Sequence, residues 1–131
     1  MERTIVQTHR APAAVGPYSQ AVRMGDFIFC SGQIGLNSTT GKMASDDIQG
    51  QTKQVLENLK AVLEAAGSNM DLVVKTTIFL TDMSNFNFVN LTYSSYFPSD
   101  APPARSTVAV KELPLDALIE IEAIAALPKS G

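Results

Sequence analysis

Apolar side chains recur at steps of three and four from about Asp46 to Ala66, and this spacing predicts an amphipathic helix. Ser45 and Asp46 precede the pattern as N-cap residues, and Gly67 follows it as a glycine of the kind that commonly ends helices. A second, shorter helix is predicted from about Asn85 to Phe97, where aromatic and aliphatic residues share one stripe. Both helices are expected to turn an apolar face toward a common core.

The other apolar runs predict five strands. Gly25 and Asp26 separate two of these runs, which suits a hairpin. The run "DLVVKTTIFL" lacks strict alternation and is typical of a strand covered on both faces. The predicted strands lie near Ser19–Met24, Phe27–Ile34, 71–80, 105–110 and 118–127. The order along the chain is therefore β-β-α-β-α-β-β.

These elements predict a single α+β domain spanning residues 1–131, with helices packed on a sheet. Two helices can cover only one face of such a sheet, yet "VVKTTIFL" and "AIAAL" offer apolar side chains to both faces. The uncovered face needs a further layer. A cyclic homo-oligomer whose sheets pack together supplies that layer, and it places clefts between subunits.

Charge and residue content narrow the possible partners. The formal net charge is −3, and the ten lysines and arginines are scattered, which disfavours nucleic acid as a partner. Cys30 is the only cysteine and His9 the only histidine, so an internal disulfide, a Cys-based zinc cluster and a multi-His metal site are excluded.

The location of the protein is predicted from the same sequence. No apolar run approaches the ~20 residues of a membrane-spanning helix, so no membrane partner is expected. The start of the chain has neither a secretory h-region nor a transit-peptide pattern. A cytoplasmic location is expected, with a mitochondrial pool as the open alternative.

Arg105 is the most informative charged residue. It follows a double proline, and no acidic residue lies in the stretch "APPARSTVAV". A guanidinium in rigid surroundings is a good bidentate receptor for a carboxylate, although an exposed arginine at a strand edge is the simpler interpretation. In "LIEIEAIAAL", Glu120 and Glu122 share one face of the strand. Either glutamate is simply solvated, or one lies on a strand beside that of Arg105 and positions a water.

Two further residues carry weaker signals. Cys30 lies in the strand-like "FIFCSGQI", where a free cysteine usually behaves as a small buried apolar residue. Gly32, in the same segment, belongs to neither a P-loop nor a dinucleotide-binding fingerprint. A glycine at the end of a strand does, however, let a ligand approach the backbone.

Four segments together resemble one known family: "APAAVGPYSQAV", "SGQIG", "VVKTTIFLTDMSNFNFVN" and "PPARSTVAVKELPLDALIEIEAIA". The chain is similar to the RidA/YjgF/UK114 family of reactive-intermediate deaminases from Ala11 to Ala126. The resemblance implies a fold like the bacillus type of chorismate mutase, with a mixed sheet of about six strands and two helices on one face. It also implies a homotrimer around a central β-barrel, with three ligand clefts between subunits.

The activity that the resemblance implies is hydrolytic deamination of reactive 2-enamine or 2-imino acids, such as 2-iminobutanoate and 2-iminopropanoate. These compounds are released by PLP-dependent dehydratases, and the products are 2-oxo acids and ammonia. No metal or cofactor is expected, because a protonated imine is already electrophilic.

The resemblance also assigns roles to residues. Arg105 falls on the residue that binds the substrate carboxylate, and Glu120 on the residue that positions the water. Thr107 stands where many members have a cysteine, so roles that need that thiol are not expected here. The other implied substrate-binding residues are Tyr18, Ser31, Gly32, Phe86 and Asn90.

Two alternatives stay open beside the deaminase. Some members of the family are described as single-strand endoribonucleases or translation inhibitors, but the acidic charge and the lack of an aromatic and basic stripe count against RNA cleavage. The second alternative is a regulatory trimer that binds small carboxylates without catalysis. Such a protein would keep Arg105 but could dispense with Glu120.

Overall fold

The computed structural model describes residues 2–129, which form one mixed sheet with two α-helices. The predicted domain of residues 1–131 also includes residues 1, 130 and 131, which lie outside the described residues. The helices are α1 (Ile48–Ala65) and α2 (Phe86–Tyr93). The strands are β1 (Arg3–Val6), β2 (Ala21–Met24), β3 (Phe27–Gln33), β4 (Val73–Leu80), β5 (Ala104–Ala109) and β6 (Ile119–Ala126).

The six strands are ordered β1-β2-β3-β6-β4-β5, and only the β4–β5 pair is parallel among these strands. Strands β2 and β3 form the predicted hairpin through Gly25, whose φ of +61° suits a two-residue turn. The parallel pair needs a crossover connection, and the segment containing α2 provides it. The predicted α+β class, with a sheet of about six strands and two helices, is confirmed.

The core lies between the helices and one face of the sheet. Side chains alternate along β6, so that Ile119 and Ile121 are fully buried while Glu120 and Glu122 face the opposite side. The division of this strand into two faces follows the sequence prediction. The α1 residues that join this core include Val55, Leu56, Leu59, Val62 and Leu63.

The opposite face of the sheet has no covering layer among residues 2–129. Phe27 and Phe29 on β3 are each 45% exposed, and Val108 on β5 is 42% exposed. Large exposed apolar side chains on an uncovered sheet face are typical of an interaction surface, and here Lys75 and Glu122 lie among them on the central strands.

Within one chain the helices cover only one face of β4, as predicted: Ile78 is buried, whereas Thr77 and Phe79 on the other face are partly exposed. The predicted second covering layer would come from another copy of the chain.

Beyond shifts of one or two residues at strand ends, three features differ from the sequence prediction. The first strand, β1, was not predicted, because it has only four residues and three of them are exposed, so no apolar pattern marks it. Helix α1 begins at Ile48 rather than Asp46, since Asp47 is the N-cap and its carboxylate accepts a hydrogen bond from the Gly50 N–H at 2.7 Å. Helix α2 ends at Tyr93, and turns continue toward Phe97.

The end of α1 follows the prediction. Gly67 has a φ of +85°, and the Ser68 N–H donates to the Leu63 carbonyl at 2.8 Å. This arrangement closes the helix with a left-handed residue that glycine adopts without a steric penalty.

Asn58 joins α1 to the segment that follows β3. Its Nδ2 donates to the carbonyls of Ile34 at 3.1 Å and Leu36 at 3.0 Å, and its Oδ1 accepts from Gln54 Nε2 at 2.9 Å. Asn58 is almost completely buried. Its amide therefore fixes a segment that borders one of the clefts described below.

We expect Asn58→Ala to lower the free energy of unfolding by about 2–4 kcal/mol, because it leaves two buried carbonyls without a donor. Urea denaturation measures the change. Asn87→Ala is the control, since Asn87 is exposed on α2 and its loss should change stability by less than about 0.5 kcal/mol. Equal stabilities for the two variants would contradict this role of Asn58.

Candidate active site

A β-bulge brings Gly32 against Glu120. Cys30 pairs with Ala123 and Gln33 pairs with Ile121, so β3 has one more residue than β6 across this interval. A Cβ atom built on Gly32 would lie 2.8 Å from the Glu120 Cδ and 2.9 Å from its Cγ. Glycine is therefore required for the Glu120 side chain to lie across the backbone of β3 in this position.

The Glu120 side chain lines a cleft of about 380 Å³ that lies between β3, the N-terminal segment and the turn before β6. Tyr18 lines the same cleft, and its hydroxyl accepts a hydrogen bond from the Val15 N–H at 3.3 Å. Partial burial raises the pKa of the Glu120 carboxyl, and the nearby charge of Glu122 raises it further. The residues that line this cleft, here called the Glu120 cleft, include Pro12, Val15, Tyr18, Gly32, Ile34, Pro114, Leu115 and Glu120.

Ser31 supports the wall of this cleft rather than its interior. Its hydroxyl donates to the Ser19 carbonyl at 2.6 Å, and its N–H donates to the Gln20 carbonyl at 3.0 Å. These two hydrogen bonds tie the bulged part of β3 to the segment that carries Tyr18. Ser31 is not among the residues that line the Glu120 cleft.

Arg105 lies in a second groove, separate from the Glu120 cleft, between β5 and α2. Its Cζ is 5.0 Å from the centre of the Tyr93 ring and 5.4 Å from the centre of the Phe86 ring. Arg105 also lines a groove of about 410 Å³ together with Asn90 and Tyr93, here called the Arg105 groove. Aromatic faces attract a guanidinium and restrict its orientation, so these contacts prepare Arg105 to receive an anion.

Tyr93 is held in place by a buried hydrogen bond. Its hydroxyl and the Thr76 Oγ1 are 2.6 Å apart, and Thr76 has no exposed surface. Burial raises the pKa of Tyr93, so its hydroxyl stays protonated at neutral pH. The sequence placed Tyr93 in the apolar stripe of α2 but gave no sign of its contact with Arg105, because that contact depends on how α2 lies across β4 and β5.

The structure does not bring Arg105 and Glu120 into one cleft of a single chain. Strand β4 lies between β5 and β6, so the expectation that the glutamate occupies a strand beside that of Arg105 is wrong. The two residues also project to opposite faces of the sheet. Arg105 pairs with Thr76, which is buried beneath α2, whereas Glu120 alternates with residues buried beneath α1.

Three further observations concern the thiol of Cys30, the charge of Arg105 and possible metal ligands. Cys30 is buried, and the desolvation of its thiol raises the pKa to about 12, so the thiol is protonated at neutral pH. Within residues 2–129, no carboxylate lies within ion-pair distance of the Arg105 guanidinium. No cluster of three or more His, Cys, Asp or Glu residues that could hold a metal occurs in the same part of the chain.

Comparison with known proteins decides the family. The profile of the endoribonuclease L-PSP family matches residues 8–127. The chain belongs to this family, which is also called the YjgF/RidA/RutC family. The Reactive Intermediate Deaminase A of Arabidopsis thaliana, a chloroplastic protein, is 49% identical over 127 residues, which cover 97% of this chain and 67% of the plant protein.

Solved structures of the family have the same fold. A putative endoribonuclease from Thermotoga maritima is 50% identical, with a TM-score of 0.93, over 98% of this chain and all of that chain (100%). The TdcF protein of E. coli, solved with bound serine, is 41% identical, with a TM-score of 0.88, over 95% of this chain and 99% of that chain. The resemblance predicted from the sequence is therefore confirmed for family and fold.

Over residues 2–129, no helix combines the length and the apolar character needed to cross a membrane. The cytoplasmic location and its mitochondrial alternative stay predictions.

The hydrogen bond between Thr76 and Tyr93 generates a test of how the Arg105 groove is supported. We expect Thr76→Val to lower the free energy of unfolding by about 1–3 kcal/mol, because the buried Tyr93 hydroxyl loses its partner. The double variant Thr76→Val with Tyr93→Phe should regain part of that loss, since neither polar group then remains. Denaturation of the two single variants and the double variant measures the coupling, and strictly additive losses would contradict it.

The raised pKa of Glu120 generates a pH test. Because the folded-state pKa is above the unfolded one, the contribution of Glu120 to stability is greatest at low pH and is lost as pH rises through the raised pKa. Glu120→Gln should therefore stabilise the protein at about pH 7 and give no gain at about pH 3, where the carboxyl is almost fully protonated in both states. Thermal denaturation at both pH values measures this, and a gain that is larger at low pH would disprove it.

Proposed function

We propose that the protein hydrolyses reactive 2-imino acids, with 2-iminobutanoate and 2-iminopropanoate as substrates and 2-oxo acids and ammonia as products. The observation that carries the proposal is the pair of clefts. One holds an arginine that contacts two aromatic rings and has no carboxylate partner in residues 2–129, and the other holds a half-buried glutamate with a raised pKa. A carboxylate receptor and a group that exchanges protons are the two functions that this hydrolysis needs.

Relatives agree with this chemistry. The plant relative is named a reactive intermediate deaminase, and the TdcF structure holds serine, which carries the same carboxylate next to a nitrogen-bearing carbon. The family profile carries the name of an endoribonuclease. The net charge of −3 and the scattered basic residues of this chain disfavour RNA as the substrate.

The active site that we propose forms between subunits of a homotrimer. The exposed apolar face that includes Phe27, Phe29 and Val108 would pack against the same face of its neighbours around a central barrel. In that assembly the Arg105 groove of one subunit meets the Glu120 cleft of the next. This arrangement reconciles the two residues' positions on opposite faces of the sheet with a shared role in one reaction.

In the proposed mechanism, Arg105 binds the substrate carboxylate and so fixes the adjacent C=N carbon. Phe86 and Tyr93 hold the guanidinium, while Tyr18, Asn90 and the backbone at Ser31 and Gly32 border the substrate. Glu120 accepts a proton from a water as the water oxygen forms a bond to the imine carbon, and it passes that proton to the nitrogen, which gives the carbinolamine. Glu120 then moves the carbinolamine hydroxyl proton to the nitrogen as the C=O bond forms and the C–N bond breaks, so ammonia leaves and the 2-oxo acid remains.

No metal or cofactor takes part in this proposal, because water supplies the oxygen and Glu120 moves the proton. The residue at position 107 is a threonine, and neither carboxylate binding nor water addition uses a thiol. The expected acceleration from acid–base help is on the order of 10²–10⁴.

The first test couples a serine/threonine dehydratase to the protein and follows capture of the imine as a semicarbazone. The wild-type protein should suppress semicarbazone formation. The deaminase activity of Arg105→Ala and of Glu120→Gln should each be lower by about 100-fold or more. Arg23→Ala and Glu112→Gln are matched controls, because they alter an exposed strand arginine and an exposed glutamate that lines neither cleft. Equal suppression by wild type and Arg105→Ala would rule out the proposal.

The second part of the test uses the two inactive variants together. If each site takes Arg105 from one subunit and Glu120 from another, a co-refolded equal mixture should regain about a quarter of the sites. Mixing without refolding is the control, and it should regain only as much activity as subunit exchange allows. A mixture that stays inactive, or a monomeric mass in solution, would contradict the shared site.

Cleavage of single-stranded RNA that survives repurification and is absent from Glu120→Gln would support the endoribonuclease instead.

A further inference from the structure

The rim of the Glu120 cleft carries three exposed apolar side chains. Val15 is 87% exposed, Leu115 is 68% exposed and Tyr18 is 53% exposed, and all three line this cleft. Large apolar side chains that gather at the mouth of a cavity commonly mark a ligand-binding surface. Their concentration around Glu120 needs an explanation that the packing of the chain does not provide.

The backbone at Leu115 is strained, and the surrounding structure maintains the strain. Leu115 has φ 55° and ψ 32°, and Asp116 has φ 56°; in residues 2–129, these are the non-glycine residues with positive φ. Such conformations are costly for a leucine and persist only where neighbouring contacts impose them. The Ala117 N–H donates to the Pro114 carbonyl at 3.1 Å, and the Leu118 N–H donates to Gln51 Oε1 at 2.8 Å.

Burial of the Leu115 side chain does not offset the cost of its backbone conformation, because that side chain is mostly exposed. The turn instead holds that side chain, largely exposed, at the mouth of the Glu120 cleft. Strained backbone concentrates at functional sites because the geometry it imposes is used there. The orientation of Leu115 therefore points to a contact with something that enters the cleft.

The polar groups of the cleft are mostly engaged with the protein. Gln20 Nε2 donates to the carbonyls of Thr8, Ala11 and Pro12, and its Oε1 accepts from the Thr8 N–H at 2.7 Å. The Tyr18 hydroxyl accepts from the Val15 N–H. Glu120 is the one charged residue among those that line the cleft. A ligand group that lies against this rim therefore meets apolar surface and would be disfavoured if it were acidic.

We propose that Leu115, together with Val15 and Tyr18, binds the side chain of the substrate and makes the enzyme favour 2-imino acids with branched or longer apolar side chains. This inference rests on the proposed function and adds the class of substrate. Arg105 binds the substrate carboxylate, and Glu120 deprotonates the water that adds to the C=N carbon. The apolar rim contacts the side chain carried by that carbon. A methyl substituent reaches little of this rim, whereas an isobutyl group covers it.

The test compares two imines that differ only in that substituent. A D-amino acid oxidase supplied with D-leucine or D-alanine generates them, and semicarbazone capture measures their loss. The variant is Leu115→Asn, because asparagine tolerates positive φ and so leaves the turn intact. It should lower kcat/KM for the leucine-derived imine by about tenfold and change that for the alanine-derived imine by less than about twofold.

Leu91→Asn is the matched control, since Leu91 is 69% exposed but lies on α2. It should leave the ratio of the two kcat/KM values unchanged. An unchanged ratio in Leu115→Asn, with wild-type activity on both imines, would overturn the inference and leave the proposed function standing. Loss of the wild-type oligomeric mass in Leu115→Asn would also overturn it, because Leu115 would then serve subunit contact. Inactivity of the wild-type protein on both imines would instead refute the proposed function.

Discussion

Burial of alternate side chains of β6 against α1 is the constraint on which the arrangement of the candidate site depends. Ile119 and Ile121 have no exposed surface, so Glu120 must point to the other face of the sheet. A shift of one residue in the register of β6 would exchange the two sets and bury both glutamates in the core. The packing of the core therefore determines on which face the Glu120 carboxylate lies.

The same kind of constraint positions Arg105, but on the helix side. Its register with Thr76 in the parallel β4–β5 pair places it beneath α2, where Tyr93 and Phe86 present their rings. Each half of the candidate site thus has its own support: a bulge and a glycine for Glu120, and an aromatic pair with a buried hydroxyl for Arg105. Two faces of one sheet cannot meet, so a shared reaction needs a second copy of the chain.

The family and the fold are established by the match over residues 8–127 and by structures with TM-scores of 0.93 and 0.88. Family membership fixes the scaffold, whereas activity depends on the particular residues that each member places in its clefts. In this chain those residues include Leu115, which lines the Glu120 cleft. The apolar rim around Glu120 is accordingly the part of the candidate site in which we propose that this protein's own sequence bears on substrate choice.

The sequence by itself determined most of the elements, because their apolar periodicity is local: α1, β6 and the Gly25 hairpin were predicted from spacing alone. It also pointed to Arg105 through its surroundings, whereas Glu120 was distinguished from Glu122 only by the family resemblance. It did not predict β1, whose short exposed segment has no pattern, nor the cap at Asp47. Only the tertiary structure showed that β4 separates the two residues, that Tyr93 contacts Arg105 and that Leu115 adopts a positive φ. These facts depend on strand order, helix placement and turn geometry, which contacts between distant parts of the chain decide.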